Sequence, residues 1–517
     1  MTNNDKNDWA ECTLNELISQ DGIFCDGDWV ESKDQDKYGN IRLIQLADIG
    51  DGIFKDKSNR FLTYEKSIEL NCTYLKNGDI LLARMPEPLG RAAIFPFRED
   101  EKYVTVVDVA IIRTANQYIS NKFLLFIINS PFIRKEIASL QSGSTRKRIS
   151  KNNLSKILFP LAPLPIQRAI VAKIEALFSD LDKGIESLKT AQAQLKIYRQ
   201  AVLKKAFEGE LTKEWREKQT NLPTAEELLQ QIKEERNKWL DIEILNSNSE
   251  AKRIKAKLKK LDIKISNTDL PQNWCWSTFI NSCLFVIDCH NKTAPYESEG
   301  IFLVRTTNIR EGKLDLVNEI KFVSEKTYKY WSKRAVPQSG DIIFTREAPM
   351  GKAAIIPQQT KICLGQRTML LRTIQQFLNN KYLFYNILSE IFQQRMYKDA
   401  IGTSVKHLRV GDVENLIFPL CSPQEQTQIV QEIERRLSVC DKIEQSITES
   451  LEKSEALRQS ILKKAFEGKL LSQAEIEQCK KEADYEPASV LLEKIKAEKL
   501  AKEQENKKSS IKSKKDK

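Results

Sequence analysis

The sequence predicts a mixed α+β protein of two similar halves, each with a globular α/β domain followed by a long helix. The first observation behind this prediction is an internal repeat. Segment 204–211 returns as 463–470, which lies 259 residues further along the chain, and neighbouring landmarks match at the same register. The second observation is the apolar pattern, which is strand-like inside each globular part and coiled-coil-like after it. A self-match this long indicates duplication of a whole domain with its connector.

Composition narrows the class of protein. The chain has 517 residues, of which 41% are hydrophobic and 30% charged, as expected for several globular domains with charged helices. The net charge of +11 favours a polyanionic partner such as nucleic acid. Ten cysteines without a CxxC pair indicate reduced thiols. No apolar run reaches membrane-spanning length and the start is polar, so we expect a cytoplasmic protein without a membrane partner.

The first half divides into a globular domain over 1–163 and a helical region over 164–240. In the globular domain, 41–46 and 104–112 are strand-like, and 121–140 has helical spacing. The helical region starts with a proline in its first turn and carries apolar residues at alternating steps of four and three, the spacing of a coiled-coil seam. The seam residues are Ile174, Phe178, Leu181, Ile185, Leu188 and Leu195. Gly209 is placed to end this helix as its C′ glycine.

The second half repeats this plan after a Lys-rich linker over 241–266, in which 246–249 is the expected break. A second globular domain follows over 267–421, and the second helical region occupies 422–502, beginning with a capping box and a proline at the first helical position. The tail, 503–517, has almost no apolar residues, so we expect it to be disordered.

The sequence lacks the motifs of common enzyme classes. There is no P-loop and no dinucleotide-binding glycine motif in a βαβ setting. The two histidines, His290 and His407, leave little room for a histidine-based catalytic or metal site. Neither an adenine methyltransferase tetrapeptide (Asn or Asp, Pro, Pro, aromatic) nor a nuclease-like cluster of Asp, Glu and Lys is present. We therefore expect a chain with no catalysis, metal or cofactor of its own, whose chemistry lies on another chain.

This order of parts resembles the specificity subunit of type I restriction–modification enzymes. The resemblance is carried by motifs that occur once in each half: Gly-Asp-Ile at 78–80 and 340–342, Phe-Pro-Leu at 159–161 and 418–420, Pro-x-x-x-Gln at 163–167, Ser-Pro-Gln-Glu-Gln at 422–426, and the Arg-Gln to Glu-Gly run at 199–209 and 458–468. The first half departs from the usual motif because Ile166 stands where the family has an acidic residue.

The resemblance implies a fold and a function. Each globular part would be a target recognition domain that reads one half of a split, asymmetric site in double-stranded DNA. The two helices would pack antiparallel, relate the halves by a pseudo-two-fold axis, set the unread spacer and dock two methyltransferase subunits. The complex would recruit restriction subunits that translocate DNA and cut it. S-adenosylmethionine, ATP and Mg²⁺ would belong to those partners.

Two basic loops are the leading candidates for DNA contact. They lie at equivalent places just before each long helix, and small residues beside basic ones suit contact with phosphates and guanine edges. The candidate residues are Thr145, Arg146, Lys147 and Arg148 in the first loop and Ser404, Lys406, His407 and Arg409 in the second. The alternative is a pair of solvated basic loops without a ligand.

Further candidates follow strand ends. Arg84 and Arg346 are equivalent positions, as are Arg91 and Lys352, and they would either face a ligand or form structural salt bridges. Arg305, Thr306 and Asn308 are candidate base readers, because they differ from Gln45, Ala47 and Asp48 within a shared framework.

Two other functions stay open at this point. One is a structural coiled-coil adaptor whose globular ends bind protein; it would not need basic loops at duplicated positions. The other is an undetected nuclease or methyltransferase, which would require a metal or S-adenosylmethionine site.

Overall fold

A computed structural model describes residues 6, 8–86, 88–99, 101–143, 147–259, 270–310, 312–402 and 406–515, with side chains left out for 503 and 505–515. The chain forms two compact units. Unit 1 comprises residues 1–188 and 448–517, and unit 2 comprises 189–447. Each unit therefore contains one globular domain, the beginning of the long helix that follows it and the end of the other long helix.

The globular domain of unit 1 is a mixed α/β structure. Its strands are β1 (Ala10–Thr13), β2 (Ile23–Asp26), β3 (Ile41–Ile44), β4 (Phe61–Leu62), β5 (Ile80–Ala83), β6 (Ala92–Ile94), β7 (Tyr103–Thr105), β8 (Val109–Arg113) and β9 (Leu158–Leu161). Its helices are α1 (Leu14–Leu17), α2 (Tyr64–Glu69), α3 (Asn121–Ile128), α4 (Pro131–Ser139) and α5 (Lys151–Leu154), and the long helix α6 (Leu164–Phe207) follows.

Three sheets organise this domain. An antiparallel sheet has the order β2-β8-β5-β6, a second sheet has the order β4-β3-β7 with β3 parallel to β7, and β1 pairs with β9. The strands form because Ile, Leu, Val and Ala fill them, and β5 is buried on both faces. Helices α3, α4 and α5 begin at Ser120, Ser130 and Ser150, whose hydroxyl groups accept hydrogen bonds from the first helical turn.

The segment after α6 contains α7 (Lys213–Glu217), α8 (Ala225–Leu245) and α9 (Ser249–Leu258). The strands of unit 2 are β10 (Cys275–Thr278), β11 (Cys283–Asp288), β12 (Ile301–Val304), β13 (Ile309–Arg310), β14 (Lys313–Leu314), β15 (Phe322–Val323), β16 (Ile342–Thr345), β17 (Ala353–Ile355), β18 (Ile362–Leu364), β19 (Thr368–Thr373) and β20 (Ile417–Leu420). Its further helices are α10 (Phe279–Ser282), α11 (Glu325–Trp331), α12 (Asn380–Leu388), α13 (Glu390–Asp399) and α14 (Val410–Glu414). The second long helix, α15 (Pro423–Phe466), is followed in unit 1 by α16 (Gln473–Cys479) and α17 (Ala488–Lys515).

Unit 2 has the topology of unit 1. Its sheets have the orders β11-β19-β16-β17 and β15-β12-β18, and β10 pairs with β20. The added hairpin β13–β14 corresponds to a single bridge between Ile49 and Phe54 in unit 1. The predicted mixed fold with an internal repeat is confirmed.

The long helices, each of 44 residues, run antiparallel in each unit. In unit 1, Asp182 of α6 pairs with Arg458 of α15, and in unit 2, Arg199 of α6 pairs with Asp441 of α15 at 2.6 Å. The residue number therefore falls along α15 as it rises along α6. The apolar side of α6 joins the core of unit 1 through Ile166, Ile170 and Ile174. Antiparallel helices were predicted, and this prediction is confirmed.

Each long helix ends in a Schellman motif. The Gly209 N–H donates to the Ala206 carbonyl and the Glu210 N–H to the Lys205 carbonyl, and Gly209 has φ of +79°. The same bonds recur at the end of α15, where Gly468 has φ of +78°. The last helical residue, Phe207, packs edge-on against Tyr382 in unit 2, and Phe466 packs in the same way against Phe123 in unit 1. The repeated Ala-Phe-Glu-Gly segment therefore ends a helix and fixes it to a globular domain.

A glutamine near the start of each long helix holds the adjoining domain. The Gln167 side chain is fully buried; its Oε1 accepts from the Ser120 N–H at 2.9 Å and its Nε2 donates to the Tyr118 and Ala162 carbonyls. Gln426 makes the same bonds to Asn379, Phe377 and Cys421.

The Gly-Asp-Ile motifs have an internal structural role. Asp79, 1% exposed, binds the Arg113 guanidinium through both carboxylate oxygens and accepts the Lys76 N–H. Asp341 binds Arg372 and the Gln338 N–H in the same geometry. The motif thereby fixes the turn before β5 and before β16 to the neighbouring strand.

The segment that follows each long helix packs against the start of the other long helix, and this corner differs between the units. In unit 2, the buried Glu425 carboxylate accepts from Thr212 Oγ1, Arg216 Nε and Trp274 Nε1 at 2.8–2.9 Å. In unit 1, Ile166 takes the place of the acid and borders a cavity of about 390 Å³. The lining of this cavity includes Trp9, Leu471, Ile476 and Tyr485.

Two predicted segments differ from the structure. The Lys-rich linker predicted over 241–266 contains the end of α8 and helix α9, which is capped by Asn248 and buries Ala251; the expected break at 246–249 lies between them. The tail predicted to be disordered from residue 503 continues α17 to Lys515. Scarce apolar residues suggested disorder, whereas Lys, Glu and Ala also have high helix propensity. Within the described residues, no helix has the length and apolar character needed to cross a bilayer.

We expect Gln167→Leu to lower the free energy of unfolding of unit 1 by about 2–4 kcal/mol, because it leaves a buried N–H and two buried carbonyls without partners. Urea unfolding measures the loss, and amide hydrogen exchange should locate it at α3. Gln426→Leu should have the same effect at α12 in unit 2. The matched control is Gln194→Leu, at an exposed position of α6, which should change stability by less than about 0.5 kcal/mol. Equal decreases in the free energy of unfolding for Gln167→Leu and the control would contradict the structural role of the Gln167 hydrogen bonds.

Candidate nucleic-acid interface

The two predicted basic loops are matched hairpins. Ser142 and Arg148 exchange two backbone hydrogen bonds of 2.8 and 2.9 Å, which close a loop over 143–147. Ile401 and His407 exchange the same two bonds at 3.0 Å and close a loop over 402–406. Each loop opens with a glycine in the left-handed region, Gly143 with φ of +101° and Gly402 with φ of +100°. The predicted contacts Thr145, Arg146 and Ser404 lie outside the described residues.

A short turn accompanies each hairpin. In unit 1 the turn over 106–108 joins β7 to β8, and in unit 2 the turn over 365–367 joins β18 to β19. The backbone of Arg84 connects turn and hairpin, because its N–H donates to the Asp108 carbonyl and its carbonyl accepts from the Ile149 N–H. Arg346 makes the equivalent bonds to Arg367 and Leu408. Hairpin and turn therefore lie side by side in each unit, at the end of a buried central strand.

The Arg84 and Arg346 side chains are part of this scaffold. Arg84, 9% exposed, donates to the Ile149 and Val107 carbonyls and pairs with Asp26 at 2.5 Å. Arg346 lies 3.4 Å from Asp288, and burial raises the pKa of the Asp288 carboxyl while Arg346 opposes that rise. The structure has the salt bridges that the sequence left as the alternative, so DNA contact is not retained for either arginine.

Arg91 and Lys352 occupy equivalent positions with different surroundings. Arg91 is buried, and its guanidinium donates to the carbonyls of Ile49, Pro88 and Leu46 at 2.6–2.9 Å. Burial lowers the pKa of this guanidinium. Lys352 is exposed. The predicted DNA contact is not retained for Arg91, because its donors are used inside the domain.

The three candidates at 305–308 are mostly internal. Thr306 is buried and its hydroxyl donates to the Ala348 carbonyl at 2.7 Å. Asn308, 3% exposed, accepts from the Arg305 N–H and donates to the carbonyls of Asp315 and Asn318. The half-buried Arg305 donates to the Glu319 carbonyl. Base reading by Thr306 or Asn308 stays a prediction that their surroundings do not favour, because their polar atoms hold a turn together.

Exposed cations remain along the hairpins. Lys147, Arg148, Lys406 and Arg409 are exposed, and His407 is half-buried. Arg148 lies 3.8 Å from Asp108, a residue of the adjoining turn. The exposed residues of each hairpin therefore carry a surplus of positive charge beside the turn, which suits contact with a phosphate backbone.

The sequence reasoning missed the turns themselves. Val107 and Asp108 in unit 1 correspond to Gln366 and Arg367 in unit 2, and Arg367 is exposed. Aligning 103–108 with 362–367 at the register of the repeat would have shown these positions as different side chains on one framework. Within the described residues, no group of three or more His, Cys, Asp or Glu side chains could hold a metal ion.

Comparisons with known proteins agree on one family. The family model described as the type I restriction modification DNA specificity domain matches residues 6–193 and 289–453. The chain is 27% identical to the specificity subunit of the type I restriction enzyme EcoBI of Escherichia coli over 364 residues, covering 70% of this chain and 68% of that protein. It is 26% identical to the EcoKI specificity subunit of E. coli strain K12 over 387 residues, covering 73% and 72%.

A solved structure shares the fold. It is described as the structural basis of complex assembly and conformational transition of the type I R-M system. The TM-score is 0.60 at 18% sequence identity, and the match covers 89% of this chain and 98% of the other.

We expect Arg84→Met to lower the stability of unit 1 by about 2 kcal/mol, because Asp26 and the Ile149 carbonyl lose their partner. Lys147→Ala, in the exposed hairpin beside it, should change stability by less than about 0.5 kcal/mol. Urea unfolding of the two variants tests this difference. If Arg84→Met leaves the free energy of unfolding unchanged, the scaffold role of Arg84 is contradicted and contact with a ligand at this position becomes a hypothesis again.

Proposed function

Because the chain belongs to the type I restriction–modification DNA specificity family, we propose that it is the DNA-reading subunit of such a complex. Each unit reads one half of a split, asymmetric site through its hairpin and turn. The observation that carries this proposal is the duplication of the surface: in both units a basic hairpin, closed by the same pair of backbone hydrogen bonds, lies beside a turn at the equivalent position. An adaptor that binds protein has no need for that repetition.

The hairpins supply affinity and the turns supply sequence discrimination. Lys147, Arg148 and Lys406 are exposed cations on hairpins closed by backbone hydrogen bonds, and the exposed Arg409 follows the second hairpin as the N-cap residue of α14. Such groups neutralise phosphates and position a protein on the duplex without reading its bases. The turns differ in side chains between the units, as an asymmetric site requires, and their backbone is fixed to the central strands.

The long helices act as the spacer and the docking region for two methyltransferase subunits, and the complex recruits restriction subunits. Their length supports this role, as do exposed apolar side chains such as Ile197, Val439 and Leu457. Methyl transfer, translocation and cleavage take place on the partner subunits, with their own cofactors. This chain contributes recognition and no catalysis. We infer that the protein acts in the cytoplasm, because its proposed partner is the cellular DNA.

The proposal is tested by expressing the chain with the methyltransferase encoded beside its gene and sequencing the host DNA for N6-methyladenine. We expect a split motif that disappears when this chain is omitted. A stable complex that methylates no chain-dependent motif would overturn the proposal and favour the adaptor.

The hairpins are tested by charge removal in the same complex. Lys147→Ala with Arg148→Ala should weaken DNA binding for all sequences alike and reduce the slope of log K against log salt by about two. The charge-matched control is Lys76→Ala with Lys102→Ala. These two exposed lysines precede β5 and β7, so they lie at the opposite ends of those strands from Arg84 and from the turn over 106–108. An unchanged slope, or the same slope change in the control, would argue against phosphate contact by the hairpin.

A further inference from the structure

We propose that Arg367 is the residue through which unit 2 specifies a guanine in its half of the site. Unit 1 lacks this contact, because the corresponding residue is Asp108. This inference rests on the proposed function and adds a chemical identity to one position of the recognised sequence. It is carried by the geometry of the turn over 365–367, by the partner of the Arg367 side chain and by the comparison between the units.

The turn is rigid. The Gly365 N–H donates to the Val304 carbonyl at 2.7 Å, and the Gly365 carbonyl accepts from the hydroxyl of the buried Thr368 at 2.7 Å. At the other end, the Arg367 carbonyl accepts from the Arg346 N–H at 3.0 Å. Arg367 has φ of +71°, an uncommon value for a residue with a side chain, and the surrounding bonds hold it there. A side chain on such a turn begins from a fixed position, which direct reading of a base edge requires.

The Arg367 side chain is exposed and lies near one carboxylate. Its Nε lies 3.5 Å from Glu347 Oε2, and 43% of the side chain is exposed. The backbone of Glu347 forms a bridge with His407 at the base of the basic hairpin. With Nε beside this carboxylate, we assign the terminal edge of the guanidinium, rather than Nε, to the base. That edge is the one that matches the O6 and N7 acceptors of guanine.

The same carboxylate argues against a plain phosphate contact. An anion 3.5 Å from the guanidinium reduces its attraction for a second anion, whereas hydrogen bonds to a neutral base edge survive such a neighbour. The exposed lysines and arginines of the hairpin, which the phosphate role requires, lie beside the turn.

Polar groups continue this surface next to Arg367. A cavity of about 210 Å³ borders the turn, and its lining includes Tyr296, Thr307 and Gln366. Thr307 is exposed and Gln366 half-buried. These side chains offer donors and acceptors to bases adjacent to the guanine, and glutamine is suited to an adenine edge.

The corresponding turn of unit 1 is held by equivalent backbone hydrogen bonds at its two ends, but Asp108 lacks the positive φ of Arg367 and the side chains have different chemistry. The Val106 N–H donates to the Ile44 carbonyl at 3.2 Å and the Asp108 carbonyl accepts from the Arg84 N–H at 2.8 Å, as in unit 2. The side chains are an apolar Val107 and an acidic Asp108, and the latter pairs with Arg148 at 3.8 Å. A carboxylate has no donor for guanine O6 and N7. The two halves of the site must therefore differ where these turns meet DNA.

The experiment compares the methylated motif of the wild-type complex with those of Arg367→Ala and Arg367→Lys, each expressed as the full chain with its methyltransferase. We expect both variants to lose the requirement for guanine at one position, in one half of the motif only, so that any base is accepted there. Binding to the original site should fall by about 10- to 100-fold, and binding to sites altered at that position should not fall further. Lysine keeps the positive charge but cannot form the bidentate hydrogen bonds of arginine. The Arg367→Lys variant therefore distinguishes recognition of guanine from a simple charge effect. The control is Arg310→Ala, an arginine of similar exposure on the β13–β14 hairpin, which should leave the motif unchanged.

The outcomes distinguish the two proposals. A wild-type motif that stays identical in Arg367→Ala and Arg367→Lys, or a uniform loss of affinity across all sequences, would overturn the guanine assignment while leaving the recognition function intact. The absence of a wild-type motif would instead remove the proposed function. Thermal unfolding of each variant beside the wild type shows whether the fold is kept. If Arg367→Ala does not fold, Arg367→Lys alone decides the assignment.

Discussion

The buried side chains of Gln167 and Gln426 fix the rest of the architecture. Each amide satisfies one N–H and two carbonyls of a globular domain from the first turn of a long helix, in a place that excludes water. An apolar residue would leave these groups unpaired, and a charged residue would be buried without an ion partner. The direction in which each long helix leaves its domain therefore depends on one amide group, and the seam residues further along the helix inherit that direction.

The residues that the repeat preserves most clearly are used for scaffolding. The Gly-Asp-Ile aspartates bind arginines inside the domain, the Ala-Phe-Glu-Gly segments end helices, and Arg84 and Arg346 join a turn to a hairpin. The positions that we propose for ligand contact vary between the units, such as the half-buried Asp108 and the exposed Arg367. In the proposed function, duplication separates two demands within one chain: identical side chains hold the framework, and different side chains on it would meet the two halves of an asymmetric DNA site.

The sequence predicted the fold well because its signals are local or internal. Repeat register, helix caps and heptad spacing act over a few residues or by self-comparison, and they gave the order of the domains, the long helices and the paired hairpins. The site was harder, because burial of a polar side chain is decided by distant partners. Arg84 meets Asp26 and Ile149, and Arg91 meets Ile49, contacts that no local pattern displays. The turn with Arg367 was overlooked because it carries no motif, and its place beside the hairpin depends on backbone bonds between strands far apart in sequence.

The two corners after the long helices bear on how such a chain can change by recombination. The Glu425 carboxylate accepts hydrogen bonds from Arg216, Thr212 and Trp274, whereas Ile166 borders a cavity with a mixed polar and apolar lining. A crossover that exchanged the segments following the two repeated Lys-Lys-Ala-Phe-Glu-Gly runs would bury Glu425 without its arginine and Arg216 without its acid. Breaking a buried pair in this way costs about 3–5 kcal/mol, comparable with the stability of a domain. New combinations of recognition domains are therefore limited to exchanges in which Arg216 and Glu425 travel together, although the helices and domains around them are alike.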